Sequence, residues 1–363
     1  MDAKLVCTET GTLNFSTNDA DALALFYNEF DKIIVVCILP IIAAFGVGTN
    51  LSFIFVVARV ARMRTMTNLY LVQLAVADLL FLLLTLSETL IYYGASPLRL
   101  DMTVTGFVGS VTFYSLRGTV HAASMMLVTV VALEKYYAIY RPLHYQAHWC
   151  PGNRKRAIKM SVGVWVLSVV AVGIVGPWLS EYVLTCITWP EHKSEFKIVP
   201  NHVYTLNVDT SSMTAFELLT DPHSDPLWYT ITFLAVALVN AVLFARIVRA
   251  LNVRVVPFRP ENAMLEARIL RTRNQVAWML VINGAVFFVL LAPRKIFAFV
   301  CAITLMSNRR LLGHVERGYI LNVFRIMTYL NSVVNPIVYS AVSPRYRTAF
   351  RRAFKLKYKI RSF

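Results

Sequence analysis

Seven stretches of this chain are long and apolar enough to cross a bilayer, and they limit what it can fold into. They run over roughly 33–58, 67–93, 106–133, 157–179, 227–245, 276–306 and 318–342. A helix needs about 20 mainly apolar residues to cross the hydrocarbon core. In lipid, only helices and closed barrels satisfy every backbone polar group. Of the 363 residues, 57% are hydrophobic and 15% are charged, a balance that soluble domains rarely have. The expected fold is an all-α membrane protein, a seven-transmembrane helix bundle over 33–342. An amino-terminal arm, 1–32, precedes it and a short basic tail, 343–363, follows it.

The net charge of +16 is not spread evenly. Arg59, Arg62 and Arg64 follow the first segment, and Arg141, Arg154, Lys155 and Arg156 follow the third. More basic residues fill the loop between segments five and six and the tail. Acids gather elsewhere: Asp2, Glu9, Asp19, Asp21, Glu29 and Asp31 in the arm, then Glu181 to Asp225 after segment four. Basic loops stay cytoplasmic, which puts the arm outside the plasma membrane and the tail inside. The same segregation argues against nucleic acid as a partner. The arm has no signal-peptide pattern, so segment one is expected to act as its own anchor. Asn14-Phe15-Ser16 is a glycosylation sequon on that arm, whereas Asn50-Leu51-Ser52 matches inside a span. In the loop after segment four, β-formers cluster around Phe196–Val208, which predicts a short hairpin there. No Gly-x-Ser-x-Gly, His-Glu-x-x-His or phosphate-loop pattern is present, so no enzyme and no organic cofactor is expected. A transporter is the remote alternative, but the chain lacks two related halves.

Polar residues inside spans are costly and mark function. Asn50 lies in segment one and Leu74-Ala75-Val76-Ala77-Asp78 in segment two. Glu134-Lys135-Tyr136 ends segment three, followed by Ile139-Tyr140-Arg141-Pro142-Leu143-His144. Trp165 is in segment four, Pro293 in segment six, and Asn335-Pro336-Ile337-Val338-Tyr339 closes segment seven. From about 33 to 355 the chain resembles the rhodopsin-like G-protein-coupled receptors. Within them it is similar to the neuropeptide-receptor branch, loosely to thyrotropin-releasing-hormone receptors.

That resemblance implies an extracellular ligand and a heterotrimeric G protein as partners. Glu134, Lys135, Tyr136 and Leu143, with Asn335, Pro336 and Tyr339, are then the coupling and switch residues. Lys135 stands where the family has arginine, and lysine lacks the planar fork for bidentate pairing. The swap is either tolerated or weakens coupling. Leu291, Val236 and Phe244 also depart from family residues. The alternative reading is therefore a non-signalling seven-helix relative. By the same resemblance, Asp78, Ser124, Asn331 and Asn335 surround a sodium ion as an allosteric modulator; a plain hydrogen-bonded polar cluster is the competing reading. The family's bridge from helix three is absent, because its position is Ser110. Cys186 and Cys7 are the two cysteines expected outside, and their pairing would pin the arm over the cavity.

Ser343 to Phe354 carries aromatics at Tyr346, Phe350 and Phe354, four residues apart, with basic residues between. This predicts an amphipathic eighth helix lying on anionic membrane lipid. Arg117 and His121 share a stripe of segment three, and Arg325 and Tyr329 a stripe of segment seven. Arg294 and Lys295 follow Pro293. Against these four cations the outer spans supply one acid, Glu88. Uncompensated charge in a half-buried cavity is costly. One reading pairs Glu88 with Arg117 and hydrates the rest. The other makes Glu88, Arg117, His121, Arg294, Lys295, Arg325 and Tyr329 a pocket for a ligand, such as a peptide, with an anionic or strongly accepting end.

Overall fold

The computed structural model describes residues 12–16, 19–140, 154–174, 180–191, 196, 199–208, 227–252, 263–306 and 314–355. Among them, six helices are long and apolar enough to span a membrane: α1 (Glu29–Arg59), α2 (Met66–Ala95), α3 (Gly106–Tyr140), α4 (Lys155–Ile174), α5 (Leu227–Asn252) and α6 (Ala263–Met306). A seventh, α7 (His314–Val342), is 29 residues long but more polar. An eleven-residue helix, α8 (Pro344–Phe354), follows it. Helix α1 starts at Glu29, four residues before the expected span. Asn28 and Asp31 form a capping box, each side chain accepting from the other's backbone N–H. Helix α3 continues past Glu134-Lys135-Tyr136 to Tyr140. Two helices contain a π turn, Ile34–Ile38 in α1 and Val169–Ile174 in α4. Pro40 lies just beyond the first and has no N–H to continue an α ladder.

The helices close a ring in the order α1, α2, α3, α5, α6, α7 and back to α1, with α4 outside against α2 and α3. The surface is apolar: Ile41, Phe45, Leu83, Val166, Leu238 and Val289 are all more than half exposed. The interior holds polar side chains, among them Asn50, Asp78, Glu88, Asn240, Asn331 and Asn335, each at most 3–4% exposed except Asn240 and Asn50, which are fully buried. This arrangement suits a hydrocarbon solvent, where apolar groups face out and polar groups need internal partners. A core that includes Phe53, Tyr70, Phe287, Tyr339 and Tyr346 fills the α8 end of the ring.

At the other end the arm and loops form a cap. The hairpin is longer and begins earlier than the clustering of β-formers predicts. Its strands are β2 (Ser180–Thr188) and β3 (His202–Val208), antiparallel, with Cys186 opposite His202. A third strand comes from the arm: β1 (Thr12–Asn14) pairs with β2 in parallel, Thr12 beside Cys186. Under the sheet, Trp189 stacks on Phe196 (5.4 Å between centroids) and meets Phe15 and Phe26. Leu13, Leu25, Leu98 and Leu100 complete this second small core. Backbone contacts join the arm to the loop after α2, through the bridge Phe26 to Leu98 and Tyr27 N–H donating to Pro97.

Candidate functional site

One carboxylate joins the arm, the α2–α3 loop and α7. Asp31, 3% exposed, accepts from Arg99 of the α2–α3 loop and from Asn322 Nδ2 of α7 at 2.5 Å. Arg99 also donates through Nε to the Phe26 carbonyl at 3.0 Å. Its guanidinium lies over Gly318, where a Cβ would stand 2.7 Å from Nη1. A side chain at 318 would require the Arg99 guanidinium to shift. Burial draws the Arg99 guanidinium below its ordinary value, and Asp31 opposes that shift. Burial raises the neighbouring Tyr27 phenol above its usual range, with Arg325 and Arg99 pulling the other way.

Below the Asp31–Arg99 pair, Arg117 Nη1 pairs with Glu88 Oε2 at 2.5 Å, and the Glu88 side chain is only 4% exposed. Arg117 is thus already committed to an acid, which reduces the cations left for a ligand. Arg325 is close enough to both pairs to act electrostatically on Tyr27, Glu88, Arg99 and Tyr329. It makes no ion pair or hydrogen bond among the described residues. The linked set Asp31, Arg99, Arg325, Glu88 and Arg117 carries two acids and three bases, with Arg325 as the excess charge. Tyr329 is fully buried beside Phe81, whose ring also faces His121 at 6.1 Å. Arg294 is half-buried and Lys295 only 3% exposed on α6; neither pairs with Glu88 or Asp31.

Midway along the ring, Asn335 Nδ2 donates to Asp78 Oδ2 at 2.7 Å, joining α7 to α2. Ser124 does not contact this pair by hydrogen bond; its hydroxyl donates to the Val120 carbonyl in its own helix. The Asn331 and Asn335 amide oxygens are buried without a hydrogen-bond partner. An all-oxygen donor set with such orphaned acceptors fits a hard cation such as sodium. Nearby, Asn50 Nδ2 donates to the Gly46 and Ser332 carbonyls, at 2.9 and 2.8 Å, which ties α1 to α7.

At the α8 end the Glu134-Lys135 pair closes a lock. Lys135 Nζ donates to Thr67 Oγ1 at 2.6 Å and to Glu134 Oε1 at 3.2 Å. The Thr67 hydroxyl in turn donates to Glu134 at 3.1 Å. Glu134 is 2% exposed, so this triad joins α2 to α3 away from water. The Tyr136 hydroxyl accepts from Arg246 of α5 at 3.3 Å. Tyr339 is 1% exposed and packs between Phe53 and Tyr346, at 5.2 and 5.8 Å. Tyr346 donates to Asn68, and Asn68 Nδ2 donates to the Met63 carbonyl at 2.6 Å, fixing α8 to the α1–α2 turn. Phe244 of α5 lies against Gly284 of α6, where a Cβ would collide with its ring. Phe287 and Leu291 are buried below Pro293 on the same helix. Trp165 Nε1 donates to Gln73 at 3.0 Å, holding α4 to α2.

Leu143 and Cys7 lie outside the described residues. Cys186 is disulfide-bonded, while Cys37 and Cys301 take part in no disulfide. Asn14 is exposed on β1. Motif and stripe reasoning missed Arg99, Gly318 and Thr67. Arg99 and Gly318 sit in no motif and matter only through the fold. Asp31 did carry a local signal, since Asn28-x-x-Asp31 is a capping-box pattern.

Comparison with known proteins places these features in one family. Residues 49–339 match the model of the 7 transmembrane receptor (rhodopsin family). The chain is 26% identical over 366 residues to the thyrotropin-releasing hormone receptor of Mus musculus, covering 93% of this chain and 82% of that protein. It is 30% identical over 320 residues to neuromedin-U receptor 2 of Mus musculus, covering 84% and 71%. To somatostatin receptor type 5 of Bos taurus it is 27% identical over 335 residues, covering 90% and 77%. The helices that meet around Asp78 and Asn335, with the Glu134-Lys135 lock below them, are those of a multi-pass receptor rather than an enzyme, and the chain belongs to the rhodopsin family of seven-transmembrane receptors.

Proposed function

We propose that this receptor senses an extracellular peptide with an anionic or strongly accepting end and activates a heterotrimeric G protein. The observation that carries the ligand class is Arg325. Among the described residues it is the base without an ion-pair partner in a cluster of three bases and two acids beneath the cap. A ligand carboxylate, acidic side chain or amide carbonyl would supply the missing partner. Arg117 takes part through its pairing with Glu88, and Tyr329 and His121 line the same level of the ring. The relatives are named for thyrotropin-releasing hormone, neuromedin U and somatostatin, which supports a peptide.

In this reading α7 is the seventh span, its polar residues turned to the bundle. The arm and cap face outward at the plasma membrane, with Asn14 open to glycosylation. Helix α8 lies on the inner leaflet with its basic face towards anionic lipid. Sodium enters at Asp78, Asn331 and Asn335 and stabilises the closed state; Ser124 would have to release Val120 to join it. Cys7 is the partner of Cys186. Thr12 lies beside Cys186 in the sheet, so Cys7, five residues earlier, is within reach of the bond.

The test is a cell assay of calcium and cyclic AMP against a peptide library, repeated with Arg325→Ala. A charge-assisted contact of ~1.5–3 kcal/mol predicts a potency loss of about ten-fold or more. Surface expression should hold, because Arg325 leaves no buried partner behind. Full potency in Arg325→Ala would remove the anionic end from the ligand. Silence towards every ligand at normal surface expression would favour the non-signalling reading, for which the lysine lock and the missing aromatic at Leu291 are the supporting features.

A further inference from the structure

On the outside of the ring, the seam where α1, α7 and α8 pack together is indented. They leave a groove of about 700 Å³. Small side chains open it: Ala44 and Gly48 on α1 and Ala341 on α7. A Cβ built on Gly48 meets nothing within 4 Å. Ile337 and Phe350 supply apolar walls, and Arg347 closes one end. From Ala44 to Ser52 the lining extends over eight residue steps of α1, or about 12 Å at ~1.5 Å per residue. One leaflet of a hydrocarbon core ~30 Å thick is about 15 Å deep.

The charge at the closed end has one sign. Arg347 is anchored by Nη1, which donates to the Ser340 and Ala341 carbonyls at 3.1 and 2.7 Å. Those bonds leave Nε and Nη2 for a second, bidentate partner. Arg59 lies over Phe55 at 5.6 Å, and Phe55 packs on Phe354, which also lines the groove. Neither residues 32–59 nor residues 317–355 contain an acid. An apolar trough nearly one leaflet deep, with the anchored Arg347 guanidinium at the groove and Arg59 nearby, suits an acyl chain with an anionic head. We infer that the groove between α1, α7 and α8 holds one anionic phospholipid of the cytoplasmic leaflet, its acyl chain along Gly48 and its phosphate on Arg347. The leaflet named here rests on the proposed orientation of the receptor. A second copy of this chain is disfavoured, since a symmetric contact would bring two sets of the same cations together.

The test is native mass spectrometry of the full chain, purified in detergent and given equal amounts of phosphatidylserine and phosphatidylcholine. One phosphatidylserine should be retained with about ten-fold preference. Both lipids offer a phosphate to Arg347, but phosphatidylcholine is neutral overall and brings a quaternary cation to a basic site, whereas phosphatidylserine keeps a net negative charge. Gly48→Leu, which points into open space, should abolish that retained lipid. Arg347→Gln should keep a lipid but lose the preference. Thermal unfolding of both variants in detergent controls for folding. Equal retention of the two lipids by the unsubstituted chain would overturn the inference. So would undiminished retention in Gly48→Leu, or a dimer that this substitution disperses in place of a bound lipid. None of these outcomes depends on orientation or signalling, so the inference can fail while the receptor reading stands.

Discussion

Glu88 and Arg117 illustrate how a buried charge is understood only once its partner is known. Each looks like a ligand contact when placed on its own helix. Together, at 2.5 Å, they are a buried ion pair across α2 and α3. Removing one member strands the other, a loss of about 3–5 kcal/mol. Arg117→Ala should therefore lower surface expression and thermal stability before it affects potency. The double variant Glu88→Gln with Arg117→Leu should recover most of that expression in a cell-surface immunoassay. Lys135 is a similar case. A lysine cannot fork as arginine does, but its three donors reach both Thr67 and Glu134. The lock between α2 and α3 thus runs through Thr67, and Thr67→Val keeps the shape while deleting the hydroxyl. That removes two hydrogen bonds, from Lys135 and to Glu134; at ~1 kcal/mol each, agonist-independent G-protein activation should rise by roughly five-fold to thirty-fold. Unchanged basal activity at equal expression would mean that the triad does not hold the inactive state.

Among the elements, the cap depends most on contacts distant in sequence. Its three strands come from residues 12–14, 180–188 and 202–208. None of them would be stable alone, since a short two-stranded hairpin is marginal in water. Stacked Trp189 and Phe196 supply the apolar face, and Asp31 ties the whole to α7 through Asn322. Asp31→Ala would leave Arg99 and Asn322 without their shared acceptor. Amide hydrogen exchange in the Asp19–Ala24 helix should then speed up by about ten-fold, while exchange in α2 and α3 stays slow. No change in that segment would show that the aromatic core alone holds the cap down.

For the whole molecule, the distribution of charge makes the clearest claim. The arm and the loop after segment four are acidic, and the tail is basic. An epitope on the amino terminus should stain on intact cells, and one after Phe363 only after permeabilisation. The reverse pattern would place the charge cluster under Asp31 in the cytoplasm and end its reading as a site for an extracellular ligand.

Hydropathy, loop charge and a few motif residues were enough to specify a bundle of membrane helices and the places of Asp78, Glu134 and Asn335. These are local or periodic properties, readable along one strand of text. Helix ends were less legible: α1 began at its capping box, and α6 extended back to Ala263, outside the apolar pattern. What pairs with what was not legible at all. Asp31 and Asn322 are 291 residues apart, Lys135 and Thr67 are 68 apart, and Gly318 matters only because Arg99 crosses it. A side chain's position on a helix follows from its number, but its partner follows from how helices pack. Only the tertiary structure could show that Arg117 is already paired while Arg325 has no ion-pair partner among the described residues, because that difference depends on which helix faces which across the ring.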